Sequence, residues 1–542
     1  MLEENPPDGV LPLLDFDIEQ APQDCPATWA LLGTGQTKGI FQLESNLGKS
    51  WTKKLKPQSE EHMSALGALL RPGCLKAVDE NGVSMTQHYV LRRHEQEEVR
   101  SYHPAIDAIL FPTYGVLAYQ EQAMFLAVAI AGFNEQEADM LRKAIGKKLA
   151  AEMSKVRTMF LEGAKKANVV SQELAEEVFG WIEKSQRYSF NKSHSYCYGL
   201  QGYENAYIKA HHPLAFFAGW LNNAKHKADS QEEVNELVND ARLFDVVVEP
   251  PDLRNLEPHF QTDRKTITFG LADIKGIGDA QIAKLRTAIA ETEAFLQKPL
   301  PQWNWLQFLV WCSDQVSSSV TAKLIEVGAM RWMGKGRQLM RAEFDAWNAL
   351  TDKEKEWVRD TLTGSLFQFD DVVSILKAVG RPKKEGGGCA NKNRVSAVNS
   401  QVSLLEKPPT PLVDTPHWIA WAEEELLGIS ITCSRVDSCD LSAVNCSCKE
   451  YMAGRTGYLM LGVEITRVHE VKTKTGKSPG SKMARLVVTD GTCAVDAVVW
   501  PETYKEVRGL LTEGNTILIQ GERDKKEGTT LVIKKVWQAS TA

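Results

Sequence analysis

No run of about 20 apolar residues, the length a membrane-crossing helix needs, occurs anywhere in the 542-residue chain. The first residues, M-L-E-E-N-P-P-D-G, offer neither a basic stretch nor an apolar one, so they do not read as a secretory signal. Positive charge is also short: the formal net charge is -7, which excludes a uniformly basic nucleic-acid coat. Any contact with DNA must come from local basic patches. Ten cysteines scattered over this length form no disulfide framework and suit a reducing cytoplasm. A fixed-period repeat is missing too, which excludes solenoids. The chain reads as a water-soluble, multidomain protein with no membrane partner.

What is present changes character along the chain. Residues 1–30 are acidic and proline-rich, and 31–255 are mostly helical in pattern. The clearest helical run is Gln120 to Ile145, where Ala123, Leu126, Ala127 and Ile130 recur at helical spacing, with a break expected at Gly132 and Phe133. Around residues 265–345 the chain reads as short helices punctuated by glycine turns. The Gly-, Lys- and Pro-rich stretch 381–416 reads as a flexible linker. A short helix from Trp418 to Leu427 and a cysteine-containing segment fill 417–450. From 451 to 542 come five short strand-like runs, which predict a small β-barrel of the OB type. The predicted fold class is therefore mainly α, with tandem helical hairpins, followed by that barrel.

Several clusters are candidates for chemistry. In A-D-M-L-R-K-A-I-G-K-K (138–148), Arg142, Lys143, Lys147 and Lys148 fall within two helical turns, a density that neutralises a triphosphate or simply solvates a helix face. F-N-K-S-H-S (190–195) offers Asn191, Lys192, Ser193 and His194 as donors, with no second metal ligand at useful spacing except Cys197. His211 and His212 read as helix-end residues before Pro213. In K-G-I-G, the residues Lys275, Gly276, Ile277 and Gly278 make a turn that opens a helix, whose backbone N–H groups can grip a DNA phosphate or merely connect two core helices. Asp15 and Asp17 alternate as metal-binding carboxylates would, but no strand and no third carboxylate accompany them. Cys433, Cys439, Cys446 and Cys448 lack a usual zinc spacing and read as structural thiols.

These motifs, with T-K-G-I-F-Q-L-E-S (37–45), A-L-L-R-P-G (68–73), P-T-Y-G-V-L-A-Y-Q-E-Q (112–122), A-Y-I-K-A-H-H-P (206–213) and E-E-E-L-L-G (423–428), stand in one order. That order closely resembles the alpha subunit of bacterial DNA polymerase III, the C-family replicase. The resemblance implies fingers at 31–255, tandem helix-hairpin-helix and clamp-binding elements at 256–380, and an OB domain at 451–542. It implies that the family's PHP and palm domains, with three metal-binding aspartates, fall before residue 1, leaving 1–30 as a palm-to-fingers connection. No catalytic or metal-binding residue is then expected in this chain, and the Mg2+ of the reaction would sit on palm carboxylates of a separate N-terminal chain. The chain reads as a split or truncated subunit of a bacterium or of a phage within one.

Carried over by position, Arg142 and Lys143 match the basic pair that faces the incoming dNTP. Lys147, Lys148, Asn191, Lys192, Ser193 and His194 match residues lining the same cleft, with Arg71, Tyr119, Gln120 and Gln122 as further candidates. T-G-S-L-F, with Thr363, Ser365, Leu366 and Phe367, stands where the family's sliding-clamp peptide is found. Arg467, Lys472, Lys474 and Lys477 would track single-stranded template on the OB-like block. The expected function is the nucleotide- and primer-template-binding part of a replicative polymerase. The alternatives are a non-catalytic DNA- and clamp-binding accessory or an inactive remnant.

Overall fold

The computed structural model describes residues 17–540 apart from 77, 80, 148–149, 186–188, 264, 363–370, 474–478 and 525–528. The chain divides after Phe216 into two compact units, so the block expected at 31–255 spans that division.

The first unit is helical and holds two apolar cores. One gathers Trp29, Leu32, Leu66, Tyr119, Tyr203 and Tyr207. The other gathers Leu126, Ile130, Leu141, Phe160, Phe179 and Ile182. The Gln120–Ala131 helix stops at the expected break, and the next one runs Glu135–Lys147. A chain that turns there can fold its second helix back on the first, and these two helices do pack together. The Lys192–His211 helix crosses the Glu60–Leu69 helix so closely that a Cβ on Gly199 would stand 2.9 Å from the Ser64 nitrogen. Only glycine permits that approach, which fixes the depth at which residues 191–194 emerge. His211 ends this helix and His212 caps it, as the Pro213 that follows requires.

The second unit begins with a small sheet of three strands. β1 (Val247–Glu249) runs parallel to β3 (Thr266–Thr268), and β2 (Gln261–Thr262) pairs antiparallel with β3. The K-G-I-G turn follows, then the Asp279–Leu296, Ser318–Glu326 and Arg337–Asn348 helices. The stretch 381–416 departs from the expected linker, because Lys392–Glu406 is a helix. Asn391 caps it by accepting the Arg394 N–H at 3.0 Å, Val398 and Val402 are buried, and Arg394 pairs with the buried Glu354 at 2.6 Å. Val395, Val398, Val402 and Leu405 stand at helical spacing, a signal masked by the Gly, Lys and Pro residues on either side.

The Pro416–Leu427 helix carries E-E-E-L-L-G. Glu423 is fully buried, and its carboxylate accepts from Arg337 at 2.9 Å and from the backbone N–H groups of Ile431 and Thr432 at 2.7 and 2.8 Å. This set of donors offsets the cost of burying the charge.

The five strand-like runs close into a barrel in the order β4–β5–β6–β8–β7. The strands are β4 (Leu459–Lys472), β5 (Lys482–Thr489), β6 (Ala494–Val499), β7 (Thr516–Arg523) and β8 (Leu531–Gln538). Alternate residues such as Leu486, Val488, Ile517 and Ile519 fill the interior, as the two-residue period of a strand demands. Cys446, Cys448 and Cys493 belong to the same core as free thiols.

Candidate nucleotide and nucleic-acid interfaces

On the Glu135–Lys147 helix, Arg142 and Lys143 turn toward one acceptor. Arg142 donates to Asp139 at 2.8 Å and Lys143 donates to the same carboxylate at 2.8 Å. The Lys143 and Arg142 donors hold the Asp139 carboxyl below its ordinary range. All three side chains stay substantially exposed, so the cations are paired but reachable. The side chain of Lys147 and the whole of Lys148 lie outside the described residues.

Asn191, Lys192, Ser193 and His194 form the exposed first turn of the Lys192–His211 helix. Asn191 is its N-cap and accepts the His194 N–H at 2.8 Å. Glu121 then reaches across from the neighbouring Gln120–Ala131 helix. It accepts the Lys192 N–H at 2.9 Å and the Asn191 side-chain amide at 3.0 Å. A carboxylate therefore stands at the positive end of the helix, where an anion is favoured. Sequence reasoning passed over Glu121, although it lies beside Gln120 in the same motif.

Around this turn the aromatic side chains make a floor. The Arg71 guanidinium lies 3.5 Å from the Phe190 ring centre, and the Lys192 ammonium lies 5.8 Å from that of Tyr119. The Phe190 carbonyl accepts the Gln120 N–H at 2.9 Å, tying the two segments together. Arg71, Gln120, Asn191, Lys192 and His194 are thus gathered at one place. Gln122 has another task, since its buried amide accepts from Ala118 and Tyr119 and donates to Thr113 at 2.7 Å.

In the second unit, Gly276 has φ +75°, which lets the K-G-I-G turn reverse direction. Lys323, on the Ser318–Glu326 helix, donates to the Lys275 carbonyl at 2.8 Å and braces the turn from beneath. Ile277 is buried as an anchor, and Gln281 accepts the Gly278 N–H at 3.1 Å. Lys275 itself pairs with Glu425 at 3.0 Å with both side chains exposed, an arrangement that a phosphate can displace.

On β4, Lys472 is exposed and Arg467 pairs with Glu232 of the Ser230–Leu243 helix. Lys474, Lys477 and the segment Thr363 to Phe367 lie outside the described residues.

Asp17 caps a single 3-10 turn by accepting from Glu19 and Gln20, and Asp15 lies outside the described residues. Among the described residues no group of three His, Cys, Asp or Glu side chains could hold a metal ion. No described helix is long and apolar enough to cross a membrane.

Comparison with known proteins gives similarities for three segments of the chain and for nearly all of its length. Residues 10–168 match the bacterial DNA polymerase III alpha subunit finger domain, 245–340 match the helix-hairpin-helix motif, and 465–537 match the OB-fold nucleic acid binding domain. The chain is 30% identical to the DNA polymerase III subunit alpha of Aquifex aeolicus over 97% of its own length. It is also 30% identical to that of Thermus aquaticus over 97%, and 29% identical to that of Bacillus subtilis over 95%. It spans 40%, 39% and 41% of those relatives, respectively.

Proposed function

We propose that this chain, which carries the fingers-to-OB portion of a bacterial DNA polymerase III alpha subunit, binds an incoming dNTP and primer-template DNA for template-directed synthesis. The observation that carries the reading is Asp139 holding Arg142 and Lys143 side by side on an exposed helix face. A triphosphate brings more negative charge than one carboxylate and displaces it, and the guanidinium then forks onto phosphate oxygens while the ammonium adds a point charge. Arg71, Gln120, Asn191, Lys192, Ser193 and His194 supply further donors to the nucleotide. Lys147 and Lys148 are assigned to the same cleft by sequence.

Chemistry would require Mg2+ held by carboxylates, which would supply activation of the primer hydroxyl and neutralisation of the phosphoryl charge. Those carboxylates would belong to a palm of the kind the resemblance implies. The K-G-I-G turn grips the duplex backbone, the barrel follows single-stranded template through Arg467, Lys472 and Lys474, and Thr363 to Phe367 docks on the sliding clamp.

Primer extension with this chain, with a palm-bearing chain, and with both is the direct test. Synthesis only in the mixture supports the reading. No gain on mixing, with DNA binding intact, supports a non-catalytic accessory instead.

A further inference from the structure

Beside the K-G-I-G turn, three side chains that none of these roles uses stand in line. The Lys225 ammonium is 3.1 Å from His259 Nε2, and His259 Nδ1 is 3.6 Å from the Asp273 carboxylate. Lys225 is exposed, His259 half-exposed and Asp273 mostly buried. We propose that Lys225, His259 and Asp273 form an amine site that acts on the aldehyde of abasic DNA and releases the 3′ phosphate by β-elimination.

The backbone around these groups is built to hold them. Asn222 donates to the Phe260 carbonyl at 3.0 Å, which ties the turn bearing Lys225 to the residue after His259. On the other side, Leu271 and Ala272 donate to the carbonyls of Glu257 and Pro258 at 3.1 and 2.8 Å. Gly270 makes that approach possible, since a Cβ there would stand 2.4 Å from the His259 Cα. Phe260 and Phe269 pack behind, with ring centres 4.5 Å apart. Three chain segments are thus pinned so that one imidazole joins an exposed amine to a buried carboxylate.

This order of groups sets a direction for a proton. His259 with its proton on Nδ1, toward Asp273, presents a free Nε2 lone pair to the Lys225 ammonium. Burial pushes the Asp273 carboxyl up to about 6, against the opposing pull of the Gly270 N–H, His259 and Lys225, so the carboxylate is in place at neutral pH. The uncharged amine is the form that attacks carbonyls, and the His259 imidazole stands 3.1 Å from the Lys225 nitrogen, where it can take a proton.

DNA presents a carbonyl when a base has been lost and the sugar opens to its C1′ aldehyde. Asp273, at the buried end of the line, stands two residues before Lys275 in the chain, and the proposal rests on the DNA-binding reading of that turn given above. The Lys225 nitrogen bonds to C1′ as the C1′–oxygen double bond opens to a carbinolamine, the imidazolium returns its proton to that oxygen, and water leaves the carbinolamine to give the iminium. A proton then leaves C2′ for His259, the C3′–oxygen bond breaks, and the 3′ phosphate departs with the electron pair. Water hydrolyses the remaining iminium and restores the amine. No oxidant or reductant is consumed.

The test mixes the full chain with a duplex containing one abasic site and traps the iminium with cyanoborohydride on a denaturing gel. The expected result is a one-to-one protein–DNA adduct that falls by at least about tenfold in both Lys225→Ala and Lys225→Arg. His259→Gln lowers adduct formation by about tenfold at pH 7, and wild-type trapping declines below pH 6. Fluorescence anisotropy with a tetrahydrofuran-site duplex, which binds but has no aldehyde, reads DNA binding separately, and circular dichroism melts report folding of each variant. Binding without adduct, or an adduct that persists in Lys225→Arg, overturns the proposal. Absence of binding to the tetrahydrofuran duplex overturns the DNA-binding reading of the turn as well.

Discussion

Glu121 seats its carboxylate on the first turn of the Lys192–His211 helix, where it accepts both the Lys192 N–H and the Asn191 amide, the donors proposed to face a triphosphate. Replacing it with Gln keeps the shape and removes the charge. Triphosphate affinity should then rise by about three- to tenfold, because a phosphate no longer competes with a resident carboxylate. The helix end loses a charged acceptor, so stability should fall by about 0.5–1 kcal/mol. A titration with fluorescent dNTP and a urea unfolding curve measure the two effects separately. Unchanged affinity would place the nucleotide elsewhere.

Asp139 is the matching partner on the Glu135–Lys147 helix. Asp139→Asn should lower the apparent dNTP KM in the reconstituted polymerase and leave the melting temperature almost unmoved, since the pairs are exposed. Arg142→Ala should raise KM or lower kcat, and Lys143→Ala should do so less, because an ammonium lacks the planar fork. The sign with pH follows from the depressed Asp139 carboxyl: both pairs persist at neutral pH and are lost as acid protonates it. Steady-state kinetics on the three variants check the ranking.

How much of this was legible depended on whether a feature is local. The barrel strands alternate in burial, and the helix break at Gly132 is a matter of backbone geometry, so both could be read from adjacent residues. The helix Lys392–Glu406 was hidden because compositional signals around it outweighed four apolar residues at the right spacing. Gly199, Glu121 and Asn222 act on partners between 38 and 135 residues away, as in the bond from Asn222 to Phe260, and no local pattern announces such pairs. Motif order led to the expectation that Asn191 and Lys192 line a nucleotide cleft, but the carboxylate seated on them came only from the fold.

The Glu423–Arg337 pair makes a stability prediction. Glu423→Ala strands a guanidinium whose side chain is only 6% exposed and leaves the N–H groups of Ile431 and Thr432 without their acceptor. A loss of about 3–5 kcal/mol is expected, the range for breaking a buried pair by removing one partner. Thermal melts should show the second unit unfolding earlier. A change under about 1 kcal/mol would mean water replaces the carboxylate.

Glu464, on β4, gives a prediction in pH. It is buried beside Arg435, which it shares at 3.4 Å with Glu424, and burial, reinforced by the Glu424 charge, pushes its carboxyl up to about 8. The folded state therefore keeps a proton that the unfolded chain has released. Stability should fall as pH rises from the ordinary carboxyl range toward 8, by up to about 1.4 kcal/mol per pH unit, and level off above that. Glu464→Gln should flatten this slope and leave the protein more stable at pH 8. Melting curves from pH 5 to 9 on both proteins decide it.

The K-G-I-G turn joins geometry to binding most directly. Gly276 sits at φ +75°, and a Cβ there would come within 2.5 Å of the Lys323 ammonium that braces the turn. Gly276→Ala therefore meets two obstacles at once, a left-handed backbone and a displaced brace, and should cost about 1–2 kcal/mol locally. Lys323→Ala removes only the brace and leaves the backbone conformation permitted. If the turn grips DNA through its own N–H groups, both variants should weaken duplex binding, with Gly276→Ala the more severe. Lys275→Ala should instead reduce affinity modestly and make the salt dependence shallower, because it deletes one charge without moving the amides. Anisotropy titrations over a salt series separate the two behaviours. Equal salt slopes in all three variants would assign the grip to other residues.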